Sequence, residues 1–202
     1  MRLLSKPFSL GFLLALFPLA VSPESLIPQR ILWIETFDHE QIPKTVGTWK
    51  HHVLDSNQGI RIELVDQDAA NKEGGKSLAI HFDVDSPNPA MVGCWIKLGN
   101  QDLSGFDTLH FSLKSGRGGR FKGSVAVQFT DSLYRKSAYL VSQVKEEWID
   151  YRIPLKKFPR ISNWSGIREF EIIMDDTNAI PKEGTLWIDE IYVSRRSYDE
   201  VA

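Results

Sequence analysis

Apolar and polar residues alternate along most of this chain. From Ser77 to Val84, Leu78, Ile80, Phe82 and Val84 share one side of an extended backbone, and Ala79, His81 and Asp83 take the other. Thr108 to Lys114 sets Leu109, Phe111 and Leu113 against His110, Ser112 and Lys114; Ser124 to Thr130 sets Val125, Val127 and Phe129 against Ala126, Gln128 and Thr130. Successive side chains of a strand point to opposite faces, so each run predicts a strand with one face on a core. Further strands are predicted near residues 32–38, 60–65, 91–98, 136–143, 148–153, 168–175 and 185–194. Between them stand turn residues: Glu73-Gly74-Gly75-Lys76, Ser86-Pro87-Asn88-Pro89, residues 115–119 and Pro181-Lys182-Glu183-Gly184. Many short strands without a long helical period predict an all-β sandwich or barrel. Residues 156–165 form a longer connection, with Phe158 and Trp164 as aromatic plugs. Trp148, Trp187, Phe106, Phe111 and Phe170 sit in apolar patterns and are expected in the core; Trp33 and Trp49 lie in less regular segments and fit either side.

The first 22 residues break the alternation. Arg2 and Lys6 precede an apolar run from Phe8 to Val21, and Ala20-Val21-Ser22 places small residues where a signal peptidase inspects the chain. Residues 1–22 therefore read as an export signal cleaved after Ser22, with an uncleaved anchor as the alternative. The run is short of the roughly 20 apolar residues of a membrane span, and no Cys follows it to carry a lipid. Residues 23–202 are expected to form a single domain with no membrane span, periplasmic or secreted. The single cysteine, Cys94, excludes an internal disulfide and suits a small core position; an exported chain without disulfides is ordinary in a bacterial periplasm. A net charge of −2 with both signs mixed excludes a nucleic-acid footprint. Arg117-Gly118-Gly119-Arg120 reads as a hairpin turn.

Catalytic constellations are missing from the sequence. His39, His51, His52, His81 and His110 have no metal-ligand spacing, and there is no nucleophile elbow, P-loop or dinucleotide fingerprint. The adjacent acids Glu146-Glu147 and Asp175-Asp176 point to opposite faces if extended, which disqualifies each as an acid–base pair. Asp189 is different. It lies among Trp187, Ile191 and Val193, and a buried carboxylate needs a partner.

Several segments, taken in order, resemble a known fold. These are Glu35-Thr36-Phe37-Asp38, Gly74-Gly75-Lys76-Ser77-Leu78, Phe106-Asp107-Thr108-Leu109-His110-Phe111 with Leu113-Lys114, Trp148 with Ile153-Pro154-Leu155, and Ile188-Asp189-Glu190-Ile191. Together they resemble the galactose-binding-like jelly roll, in particular carbohydrate-binding modules of the family 11 type and the domain of complex I intermediate-associated protein 30. The resemblance implies a β-sandwich of two antiparallel sheets. One would hold the strands near 78–84, 185–194, 107–114 and 148–153, the other those near 91–98, 168–175, 123–131 and 136–143. It also implies a structural calcium ion tying the N-terminal segment to the last strand through Glu35, Asp38 and Asp189, with carbonyls near Gly75 and Lys76. Calcium takes carboxylate and carbonyl oxygens together. Without it, Asp189 would cap a turn or pair with a Lys or Arg.

In that family sugar binds the concave outer face of the second sheet. Alternation places Ala126, Gln128 and Thr130 there, Trp95 with Lys97 opposite Cys94 and Ile96, and Glu169, Glu171 and Asp175 opposite Phe170, Ile172 and Met174. Tyr139 is placed there too, opposite Ala138 and Leu140. Trp95, Tyr139, Gln128 and Glu171 are thus the expected sugar contacts, with Asp131, Tyr134 and Arg135 of the neighbouring loop at the groove's edge. Aromatic rings stack on the apolar C–H face of a pyranose, and amides and carboxylates bind its hydroxyls. Trp95 in the core is the alternative, since Trp is buried on average. The function expected is an exported, non-catalytic carbohydrate-binding module for a polysaccharide or oligosaccharide, working beside a separately encoded glycan enzyme or assembly protein. The alternatives are a protein-interaction or assembly factor and, third, a glycan hydrolase or lyase.

Overall fold

The computed structural model describes residues 30–66, 70, 75–116 and 121–195. The export signal and the turn at residues 117–120 lie outside the described residues. The strands, in chain order, are β1 (Ile31–Glu35), β2 (Val46–Lys50), β3 (Gly59–Val65), β4 (Ser77–Asp83), β5 (Met91–Gln101), β6 (Thr108–Ser115), β7 (Ser124–Asp131), β8 (Lys136–Ser142), β9 (Ile149–Pro154), β10 (Ile167–Asp175) and β11 (Glu183–Ser194). The first sheet runs β3-β4-β11-β6-β9, with β1 paired to β11; the second runs β2-β5-β10-β7-β8. Every pairing is antiparallel. The two groups of four strands implied by the resemblance are both present, and the chain is an all-β sandwich.

The alternation explains the layers. Leu78, Ile80 and Phe82 of β4, Leu109, Phe111 and Leu113 of β6, Val125, Val127 and Phe129 of β7, and Phe170, Ile172 and Met174 of β10 all turn into one shared core. Each such side chain contributes about 1.5–3 kcal/mol by leaving water. Phe129 sits at a junction, with the rings of Phe158, Trp164 and Phe170 at 5.1, 5.2 and 5.2 Å. The 156–165 connection therefore plugs the sandwich with Phe158 and Trp164, as its aromatics predict. Cys94 is fully buried, and burial pushes its thiol up to about 12.

Three features depart from the sequence reading. The first strand stops at Glu35, because Phe37 takes a positive φ of 57° and turns the chain while its ring enters the core. Trp148 and Trp187 leave the core for the outer face of the first sheet, where their ring centroids lie 4.9 and 5.2 Å from the Lys114 ammonium. The reason for Trp187 is the strand period: Leu186 and Ile188 are buried on either side of it, so it must face the other way. Strand β2 was not expected, because its two large apolar residues, Val46 and Trp49, have opposite phase and form no stripe.

Candidate functional site

The outer face of the second sheet is laid out by strand register. One rung crosses it as Gly47, Trp95, Glu171, Gln128 and Ala138, contributed by β2, β5, β10, β7 and β8. The next rung reads Trp49, Gly93, Ile173, Ala126 and Leu140. On the other side of the first rung lie Lys97, Glu169, Thr130 and Lys136. A polar row thus runs beside an apolar one, with an indole at the same end of each. Residues predicted for this face from β5, β7 and β10 are on it.

The two indoles are seated by glycines. Trp95 stands opposite Gly47, and Trp49 opposite Gly93. A Cβ added to Gly47 would come within 2.2 Å of the Trp95 ring, and one added to Gly93 within 2.6 Å of the Trp49 ring. Each ring therefore occupies the space where the neighbouring strand has no side chain. Trp95 is half-buried on the outer face, which removes it from the core. Trp49, left unassigned by sequence, completes the platform; the signal that could have found it was the Gly-x-Trp of β2 facing the Gly-x-Trp of β5.

Glu171 ties these parts together. It is 3% exposed although it points outward. Its Oε1 accepts a hydrogen bond from Trp49 Nε1 at 3.0 Å. Its Oε2 accepts from Gln128 Nε2, from Thr130 Oγ1 at 3.5 Å and from Lys136 Nζ at 3.3 Å. A buried carboxylate needs such donors. Glu171 thereby becomes the support that fixes the Trp49 ring and the Gln128 amide, rather than an open acceptor for hydroxyls.

The β7–β8 hairpin closes one end of the face. Asp131 is buried; its Oδ1 accepts from the backbone N–H groups of Leu133 and Arg135, and its Oδ2 from Arg135 Nε at 2.7 Å. Burial pushes its carboxyl up, but these bonds, led by the Arg135 side chain, outweigh it and hold the group below the usual carboxylate range. Arg135 also donates to Ser162 Oγ at 2.9 Å, so its guanidinium is largely committed to the loop. Tyr134 has a positive φ of 61° and is 70% exposed, with the Arg168 guanidinium 4.4 Å from its ring centroid. Tyr139 is a correction. It pairs with Val127, shares the core face and packs on Phe158 at 6.4 Å. In β8 it is Ala138 and Leu140 that point outward, because Tyr139 and Val141 fill the interior beside Val127 and Val125.

The acids expected to hold a metal divide into two sets. Glu35 spends one oxygen on its own turn, accepting from Thr36 N, Phe37 N and His39 Nε2 at 2.9, 2.9 and 2.8 Å. Asp189 is fully buried; its oxygens accept from Ala70 N at 2.9 Å and Glu190 N at 2.8 Å. Burial pushes its carboxyl up to about 6 against those two bonds, and the charges of Glu190 and Asp38 push the same way. Asp38 Oδ1 accepts from Lys76 N at 2.8 Å. The charge of Asp38 and Asp189 suits a hard divalent cation, and the Lys76 backbone lies beside Asp38. Among the described residues, no three His, Cys, Asp or Glu side chains are arranged to hold a metal.

His81 and His110 do lie on the outer face of the first sheet, but β11 runs between their strands. His81 bonds Thr185 and Glu63, and His110 bonds Ser194. Among the described residues, no helix is long and apolar enough to cross a membrane.

Solved structures with the same fold are numerous. The family 11 carbohydrate-binding module from Clostridium thermocellum, in complex with a β-1,3-1,4-mixed-linked tetrasaccharide, is 14% identical, with a TM-score of 0.60, over 81% of this chain and 94% of that one. A β-1,2-glucanase from Parabacteroides distasonis is 12% identical, with a TM-score of 0.62, over 84% of this chain and 25% of the enzyme. An exo-β-agarase is 16% identical, with a TM-score of 0.58, over 83% of this chain and 25% of the enzyme. The chain therefore matches about a quarter of each enzyme. No curated protein matches the sequence. The family model for carbohydrate binding domain 30 matches residues 39–195, a span that takes in both sheets from β2 to β11. The chain belongs to the carbohydrate-binding domain 30 family.

Proposed function

We propose that the outer face of the second sheet binds a glycan chain, with Trp95 and Trp49 as stacking platforms and Gln128 as the hydroxyl-binding amide beside them. The observation that carries this reading is the pair of indoles, each seated over a glycine of the adjoining strand. That arrangement presents broad ring surface on an outer face at the cost of two side chains. Tyr134 and Arg135 stand at the hairpin end of the same face, and Glu171 positions Trp49 and Gln128 from below. The reading is non-catalytic, since the most central carboxylate of the face is occupied in holding its neighbours. Export is consistent with the leader-like first 22 residues, and action beside a separately encoded glycan enzyme is part of the same proposal.

Calcium enters the same proposal as a structural ion. Asp38 and Asp189 would hold it with carbonyls of the 75–76 segment, and its charge would offset the repulsion among Asp38, Asp189 and Glu190. It supplies no chemistry to the glycan face, which lies on the other sheet.

The test is titration of the full chain with a panel of soluble polysaccharides, followed by calorimetry of the best binder. Trp95→Ala and Trp49→Ala are each expected to weaken binding by about 2 kcal/mol or more, about thirtyfold, as central aromatic anchors do. Binding unchanged in both variants would move the site elsewhere.

A further inference from the structure

We infer that the glycan taken by this face is acidic, a polymer carrying carboxylate or sulfate groups; the inference rests on the sugar-binding reading above. The observation is that two of the outward rings each carry a cation. The Lys97 ammonium lies 4.6 Å from the Trp95 ring centroid. The Arg168 guanidinium lies 4.4 Å from that of Tyr134. Both cations stand toward the hairpin end. Lys97 begins the rung that continues through Glu169 and Thr130 to Lys136. Arg168 is the extra residue of β10 where its register against β7 shifts between Ile167 and Glu169. The bulge thus adds a cation to this end of the face.

The acids of the same face are largely spent. Asp131 is paired with Arg135 at 2.6 Å, and Glu171 with Lys136 at 3.3 Å; both carboxylates are almost fully buried. Asp175, at the opposite end, accepts from Thr177 N and from Asn178. That leaves Glu169 as the half-buried acid between the exposed Lys97 and Lys136. A sugar ring that stacks on Trp95 or Tyr134 displaces the Lys97 or Arg168 head group from the ring face and brings its own substituents alongside it. A hydroxyl there accepts a hydrogen bond from the cation. A carboxylate or sulfate forms an ion pair as well, and is attracted over a longer range as it approaches.

The experiment measures the full chain against polygalacturonate, a sulfated galactan and a neutral mixed-linkage β-glucan, each at low and at moderate salt. Either anionic polymer is expected to bind about tenfold tighter than the neutral glucan at low salt, and to lose most of that margin on adding salt. The polyuronate and sulfate arms tell which group supplies the charge. Lys97→Met and Arg168→Met should each weaken anionic binding severalfold with an unchanged melting temperature, and Arg168→Lys should restore most of it. Trp95→Ala should remove it, while Lys182→Met, outside the face, should leave it intact. A neutral glucan bound as tightly as the anionic polymers, with Lys97→Met silent, overturns the acidic inference and leaves the sugar-binding reading standing. Anionic binding that survives Trp95→Ala is unspecific adsorption and overturns the inference too. No polymer bound at all overturns both.

Discussion

Gly93 and Gly47 do for this face what a pocket wall does elsewhere: they set where a ring can lie. The indole of Trp49 crosses Gly93 to reach the Glu171 carboxylate at 3.0 Å on the next strand but one. A methyl at Gly93 would sit 2.6 Å from ring atoms, closer than such atoms approach, so the indole must tilt and surrender that bond. Gly93→Ala is therefore expected to weaken glycan binding about tenfold, close to the 1–1.5 kcal/mol of one hydrogen bond, with circular dichroism unchanged. Full affinity in this variant would show that the ring position does not matter. Trp49 also shows where sequence reading falls short at this scale. Alternation identifies a strand only when its large apolar residues share a phase, and Val46 with Trp49 do not. The reciprocal Gly–Trp pairs carry meaning only because β2 lies against β5.

Whole strands were more legible than their facing. Strands β4, β6 and β7 alternate cleanly and point as read, and β10 sends Phe170, Ile172 and Met174 inward as its pattern demands. Strand β8 is short of apolar bulk, with Leu140 exposed and Tyr139 half-buried, so hydrophobicity alone inverts it. Strand β11 carries the other element-scale feature. Its register shifts between Asp189 and Tyr192, with Glu190 at a positive φ of 52°. The shift gathers Asp189 and Glu190 near Asp38, and the N-terminal turn is thereby set against the last strand. If calcium bridges Asp38 and Asp189, saturating it should raise the melting temperature by about 5–10 °C over a chelated sample for a domain of this size. Asp189→Asn should abolish that difference. Identical melting curves in calcium and in chelator would remove the ion from the account.

For the molecule as a whole, two sheets of a family-typical sandwich present two very different outer surfaces. The first sheet binds its own groups: Lys114 lies between Trp148 and Trp187, and the rings of His110 and Tyr192 stack at 4.5 Å. The second sheet instead turns its indoles over glycines and leaves Leu140 and Tyr134 half or more exposed. The all-β class and the assignment of eight strands to two sheets were readable because both follow from period-two burial and from the order of motifs. The working face was only partly readable, since it depends on which strands become neighbours. Glycan is expected to meet the second sheet and not the first. Titrating isotope-labelled protein with the best-binding oligosaccharide, and following the indole N–H signals, tests it most directly. The Trp49 and Trp95 signals should move together while those of Trp148 and Trp187 stay fixed; movement confined to Trp148, Trp187 or Trp33 would contradict it.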